Sequence, residues 1–174
     1  MPTARTTIEI SILGRATYNV SIGASLASVR TDALAHVRGG RLIVTDSNVA
    51  AHHLEAAMHD CNASGSVVIP AGEQHKTPQT LVDVVRKAAD AGLDRGGAIV
   101  ALGGGVVGDI AGLAAAVFMR GIDFINLPTS LLAMVDAAIG GKTGVDLPEG
   151  KNLLGAFHQP RAVVCDMALL ASLP

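Results

Sequence analysis

The sequence predicts an α/β fold, a mostly parallel open sheet with flanking helices and an N-terminal β-hairpin. Three observations carry that prediction. Short β-branched runs alternate with helical segments along most of the chain, the rhythm of strand–helix–strand units. Hydrophobic residues make up 49% of the 174 residues and aromatics only 2%, so the core is built of Val, Ile, Leu and Ala, the mix of strands buried on both faces. The glycines cluster in turns, where the ends of such strands place ligands.

The elements follow in order. Ile8, Ile10 and Ile12 alternate with polar residues, as do Tyr18, Val20 and Ile22, with Gly14-Arg15 between them; this reads as a hairpin buried on one face. A helix is predicted from Ser25 to Val37, closed by Gly39-Gly40. Arg41 to Thr45 is a strand, Asp46-Ser47-Asn48 a turn and cap, and Val49 to Cys61 a helix with Leu54, Met58 and Cys61 on one face. Val67 to Ile69 is a strand ended by Pro70. Thr77 caps a helix that starts with Pro78 and runs to Ala91. Ala98 to Leu102 is the most apolar strand. A helix reaching Met119, a strand from Phe124 to Leu127 and a helix from Ser130 to Ile139 follow. The remainder reads as a Gly-rich turn region, a short strand from Ala162 to Cys165 and a new segment at Met167.

Composition excludes several classes. A net charge of −2 gives no basic footprint for nucleic acid or an anionic membrane. The longest apolar run, Ala111 to Met119, is too short to cross a bilayer. The alternating N-terminus does not read as a signal peptide. Cys61 and Cys165 stand alone and suit a reducing, cytoplasmic setting.

Gly103, Gly105 and Gly108 satisfy G-x-G-x-x-G between a buried strand and a helix. Glycine permits positive φ and admits a diphosphate to backbone amides at a helix N-terminus. This is the Rossmann-like context for the motif. The acid expected at the end of the next strand is missing: that strand ends at Leu127-Pro128, with Asp123 before it. Asp46, at the end of an earlier strand, is the substitute for the ribose contact. Gly141-Lys142-Thr143 has the tail of a P-loop, but the first glycine of that motif would fall on Asp136, and an ATPase is rejected. His52, Glu55 and His59 have metal spacing, yet share the face opposite Leu54, Met58 and Cys61, where a solvated polar surface is expected. His75 and His158 lie in turns of the kind that position ligands.

Longer strings resemble one family. They are Pro70-Ala71-Gly72-Glu73-Gln74-His75-Lys76, Asp109 to Gly112, Met119 to Phe124, Leu127 to Asp136, Gly140 to Thr143, and Gly150 to Pro160. In this order and spacing they resemble dehydroquinate synthases, most densely over residues 70 to 160. The resemblance implies that residues 1–174 are an N-terminal NAD-binding domain, joined in the full enzyme to a helical domain. It implies conversion of 3-deoxy-D-arabino-heptulosonate 7-phosphate (DAHP) to 3-dehydroquinate and phosphate in the shikimate pathway. NAD would oxidise a hydroxyl transiently and be restored. A homodimer through the nucleotide-binding domain is also implied.

By the same resemblance, Asp46, Asn48, Glu73, Lys76, Gly104, Gly105, Val106, Val107, Gly108, Asp109, Thr129, Ser130, Lys142 and Lys151 fall on cofactor positions. Leu169, Leu170, Ala171 and Ser172 fall on a late cofactor stretch, with Ala171-Ser172 in place of a bulkier polar pair. Asp136, Lys142, Lys151 and Asn152 fall on catalytic, substrate-facing positions. Arg120 matches an arginine that reaches the substrate phosphate of the neighbouring protomer. Charge supports these roles: the substrate is an anionic sugar-acid phosphate, and Lys142, Lys151 and Arg120 supply cations.

The family's divalent metal, zinc or cobalt, is held by the C-terminal domain, and no ligand to it is expected in this chain. The 174 residues alone are therefore expected to hold NAD but to turn over little or no substrate. Two other readings stand beside this one: the nucleotide half of another sugar-phosphate cyclase, such as an epi-valiolone or deoxy-scyllo-inosose synthase, and a non-catalytic NAD-binding module. Arg120, Lys142 and Lys151-Asn152 argue against the glycerol dehydrogenases that share the fold.

Overall fold

Leu42 and Val44 face one cluster of the core, and Ile43 between them faces another. That alternation places the strand within a sheet covered on both sides, as its composition requires. The computed structural model describes residues 5–12 and 15–173; Gly14 of the expected hairpin turn lies outside them. β1 (Thr6–Ile12) and β2 (Arg15–Ile22) form the antiparallel hairpin. The other sheet strands are β3 (Arg41–Asp46), β4 (Gly65–Ile69), β5 (Ala98–Gly103), β6 (Asp123–Pro128) and β9 (Ala162–Cys165). Their order is β1-β2-β9-β6-β5-β3-β4, with every pairing after β1–β2 parallel.

The helices sort onto two faces. α1 (Val29–Asp32) and α2 (Ser47–Cys61) cover Ile43, Val100, Leu102 and Ile125. α3 (Pro78–Asp90) and α4 (Gly105–Val117) cover Leu42, Val44, Ile99 and Ala101. The chain leaves β3 for one face and β5 for the other, and these two strands are neighbours. Strand order reverses there, which opens a crevice at the carboxyl ends of β3 and β5.

The caps agree with the sequence. Asp46 Oδ1 accepts from the Asn48 and Val49 amides at 2.9 and 3.0 Å, and Thr77 caps α3 with Pro78 in its first turn. His52, Glu55 and His59 lie on an exposed face of α2, as expected of a solvated surface.

Four expectations need correction. The helix predicted over Ser25–Val37 is a 3-10 turn (Leu26–Ser28) and a four-residue α1. Its apolar period is real, since Leu26, Val29, Ala33, Leu34 and Val37 are all buried. The Ser28 and Thr31 hydroxyls, however, bond back to the Ser25 and Ser28 carbonyls, which competes with regular helix. The Ser130–Ile139 helix forms over residues 131–137 and is π-wound from Ala133 to Ala137. The Gly-rich region after it is a second, two-stranded sheet, β7 (Lys142–Leu147) and β8 (Gly150–Phe157). Gly144 faces Gly155 across that hairpin, so no apolar alternation marks it. Finally, none of Gly103, Gly104, Gly105 or Gly108 has positive φ. Their reason is space: a Cβ on Gly103 would lie 2.6 Å from Val107 Cβ, and one on Gly108 would lie 3.2 Å from Asn126 Nδ2.

The hairpin is fastened to α4 at another glycine. A Cβ on Gly112 would lie 2.5 Å from Thr143 Cγ2 and 3.1 Å from Phe124 Cε1. Gly112→Ala is expected to destabilise the domain by about 1–3 kcal/mol through overpacking, read as a lower urea midpoint with an unchanged slope.

Candidate nucleotide and anion site

The crevice is floored by the start of α4. Gly104 is its N-cap, and no side chain caps it, unlike α2 and α3. The first-turn amides of a 13-residue helix therefore carry their partial positive charge outward. The Thr129 amide donates to Gly103 O at 3.0 Å and ties the ends of β5 and β6 together. Ser130 Oγ accepts from the Ala133 amide at 3.3 Å, starting the π-helical segment. A Cβ on Gly104 would meet only Ser130 Oγ, at 3.7 Å, and one on Gly105 would lie 3.3 Å from Ala137 Cβ. The gap between α4 and this segment is thus kept by glycine. Val106 and Gly108 sit in the same first turn, and Val107 is buried beneath it.

Asp46 closes the other side. Thr45 pairs with Leu102, so Asp46 stands next to Gly103 at the strand ends. Both of its cap bonds fall on Oδ1. Asn48 lies in the first turn of α2. Leu169 to Ser172 belong to a 3-10 segment after β9 (Met167–Ser172). Leu169 is buried in the α2 face of the core, and Ser172 Oγ lies 2.7 Å from His53 Nε2. Burial holds the His53 ring below its ordinary pKa.

β7 and β8 form the opposite wall of a cavity of about 520 Å³, within the size range of small-molecule sites. Asp109, Asp136, Lys142 and Asn152 line it together with Thr143 and Phe157. Lys142 Nζ lies 3.8 Å from Asp136 Oδ1, both side chains being about two-thirds exposed. Lys151 Nζ lies 3.2 Å from Glu73 Oε1. Such exposed pairs contribute about 0–1 kcal/mol, so these cations are available to an anion.

Lys76 differs from them. Its side chain is 5% exposed, and Nζ donates at 2.5 Å both to Asp109 Oδ2 and to Asn152 Oδ1. Burial pushes the Asp109 carboxyl above its ordinary pKa, against the lowering effect of the Lys76 ammonium. Lys76 therefore holds the wall of the cavity to its floor.

Arg120 is not brought to this cavity. It follows α4, at φ +70°, and precedes β6, which puts it at the far end of the sheet beside Asp94 and Arg95. His158 is also structural: Nε2 lies 2.9 Å from Ile122 O. Burial pushes the Cys61 thiol up to about 11 and raises that of Cys165, leaving neither a nucleophile at neutral pH. Among the described residues no group of three His, Cys, Asp or Glu could hold a metal ion, and no helix is long and apolar enough to cross a membrane. Sequence reasoning missed Thr143, Phe157 and Asp146. Only Asp146 had a signal, a short acid just before Leu147-Pro148-Glu149-Gly150, a turn-forming string.

Lys76→Met is expected to cost about 3 kcal/mol at neutral pH, because it leaves Asp109 partly buried and unpaired. The sign of the pH dependence follows from the carboxyl. Its folded pKa is already raised, and removing the cation raises it further, so folding favours its protonated form and stability is lost as pH rises through that pKa. The deficit of the variant relative to wild type should therefore shrink as pH falls from 7 into the carboxylate range, measured by urea unfolding at each pH.

Residues 66–174 match the family model described as 3-dehydroquinate synthase N-terminal. The chain is 48% identical over 169 residues to the 3-dehydroquinate synthase of Caulobacter vibrioides (strain NA1000 / CB15N), covering 93% of the chain and 46% of that protein. A 2-deoxy-scyllo-inosose synthase, solved with carbaglucose-6-phosphate, NAD+ and Co2+, superposes with a TM-score of 0.87 at 33% identity, over 97% of this chain and 48% of that one. ValA, a 2-epi-5-epi-valiolone synthase from Streptomyces hygroscopicus subsp. jinggangensis 5008 solved with NAD+ and Zn2+, gives 0.79 at 35% identity, over 95% and 47%. The chain spans about half the length of the curated relatives it matches. With an N-terminal family model matched over more than half its residues, the chain belongs to the 3-dehydroquinate synthase family.

Proposed function

We propose that residues 1–174 are the NAD-binding and anion-binding half of a lyase that converts DAHP to 3-dehydroquinate and phosphate. One observation carries this reading: an uncapped helix N-terminus opens beside a cavity that holds Lys142, Asp136 and Asn152. The NAD+ in the two solved cyclases supports the choice of cofactor.

In this reading the diphosphate lies on the Gly104, Gly105 and Val106 amides, between α4 and Ser130, and Asp46 takes the ribose. NAD bound there would accept a hydride from the carbon that bears a substrate hydroxyl, as the hydroxyl proton passes to a base, and would later return the hydride. Lys142 and Lys151 neutralise the substrate's carboxylate and phosphate. Asp136 keeps the Lys142 ammonium over the cavity, and Asn152 adds a polar contact. The zinc or cobalt ion of the same proposal would be held by the C-terminal domain that the family resemblance implies. Arg120 stands at the other end of the sheet, and it meets a substrate phosphate only in the cavity of a second copy. A homodimer, in a cytoplasmic setting, is part of the proposal.

A second reading, the half-site of another sugar-phosphate cyclase, is favoured by the likeness to the inosose and valiolone synthases. Substrate trials separate the two.

Calorimetry with NAD tests the cofactor half. The chain is expected to bind, and Gly105→Val, which crowds Ala137, is expected to weaken binding at least about tenfold, or 1.4 kcal/mol. Equal affinity in the two proteins would remove the glycine gap from the site. Phosphate release from DAHP by residues 1–174 with NAD and zinc is expected at the buffer background, and robust release would overturn the half-site reading.

A further inference from the structure

We propose that Asp146 is a positioning residue that sets Asn152 as a hydrogen-bond donor to the bound substrate; the substrate part rests on the function proposed above.

Asn152 is one of few non-glycine residues with positive φ, at +55°. Asparagine tolerates that conformation better than most residues but does not choose it unaided. The cause here is local. Asp146 Oδ1 accepts from the Asn152 amide at 2.7 Å. Asp146 is itself placed, because its own amide donates to Lys76 O at 2.8 Å. It has that amide to spare: the β7–β8 register shifts between Val145 and Leu147, so Asp146 sits at a bulge outside the ladder. The circuit closes through Lys76 Nζ, which donates to Asn152 Oδ1 at 2.5 Å. Lys76, Asp146 and Asn152 thus form a ring of three hydrogen bonds, with Asp109 attached at the ammonium.

The ring has a chemical consequence. An ammonium has donors and no acceptor, so only the carbonyl oxygen of the Asn152 amide can face Lys76. The NH2 end is left to the cavity that Asn152 lines. Asn152 therefore offers donors, suited to an anionic or hydroxyl-rich ligand, and cannot swap to offer its oxygen without breaking the ring. Asp146 reaches no ligand itself; it acts by holding the backbone from which this amide projects.

The test uses the 15N-labelled 174-residue chain, as wild type, Asp146→Asn and Asp146→Ala, with urea unfolding to confirm that each folds. Asparagine keeps the accepting oxygen and removes the charge, whereas alanine removes both. Hydrogen exchange at the Asn152 backbone amide is expected to speed up by about tenfold or more in Asp146→Ala and to stay within about threefold in Asp146→Asn, as loss or retention of one protecting bond predicts. With NAD present, titrated DAHP is expected to shift the Asn152 side-chain NH2 signals in wild type and Asp146→Asn, and to do so at least about tenfold less tightly in Asp146→Ala. Unchanged exchange in Asp146→Ala would overturn the inference. So would an Asp146→Asn variant as impaired as alanine, since the role would then be charge and not geometry. A wild-type chain that ignores NAD and DAHP defeats the proposed function, and the exchange comparison then decides the role of Asp146 by itself. If Asp146→Ala does not fold, Asp146→Ser, whose hydroxyl is one bond too short to reach the amide, takes its place in the same comparison.

Discussion

The site depends on one buried ammonium. Lys76 comes from the loop before α3, Asp109 from the first turns of α4, and Asn152 from β8. These three segments belong to different structural units, and Lys76 Nζ joins them at one point, in addition to the Asp146–Lys76 backbone bond and the packing of Thr143 on Gly112. Placing a lysine at 5% exposure is costly unless it is paired and fully bonded. Here the ammonium is paired with a carboxylate and also donates to an amide oxygen. The cost is spent on geometry: the small sheet cannot drift from the large one while the pair is intact.

That clamp acts on a crevice supplied by topology. β3 and β5 are neighbours whose following helices go to opposite faces, so their carboxyl ends cannot be covered by either helix. The glycines make the crevice usable in a particular way. With no positive φ at Gly103, Gly104, Gly105 or Gly108, the turn is not an unusual backbone. It is an ordinary backbone stripped of side chains, so that Val107, Asn126 and Ala137 pack close against it and Ser130 Oγ stands at van der Waals distance. Alanine at Gly103 would fail on volume and not on torsion.

The large sheet was legible in the sequence because burial on both faces leaves a strong record. Arg41–Thr45 and Ala98–Leu102 are short apolar runs between turn residues, and a parallel strand needs little more. The caps Asp46 and Thr77 were legible because one side chain does the work locally. The β7–β8 hairpin was not, since one side of β8 is exposed and glycines occupy facing positions, which erases the period of two. The first helix was over-read for the opposite reason: its apolar period is satisfied by turns that bury the same residues. Within the site, Asp46, Asp109 and the glycine turn could be placed from motif and context. That Lys76 is buried, and that it meets both Asn152 and the Asp146 amide, depends on contacts between residues seventy or more positions apart in sequence, which no local pattern records.

The lysines of the site fall into two groups with different surroundings. Lys76 is dry, paired and fixed; Lys142 and Lys151 are wet, and each is loosely held by one carboxylate. An ammonium in water attracts an anion weakly, because the dielectric screens it, and the same charge in a closed site is several times more effective. The cavity walls beside Lys142 include Phe157 at 84% exposure and Leu153 at 60%, apolar surface that excludes water only when something lies against it. The floor of the site is therefore held by Lys76, while the strength of its outer charges depends on how much water reaches them. In the proposed function, a ligand that lies against Phe157 excludes water there and so raises the pull of Lys142 on an anion beside it.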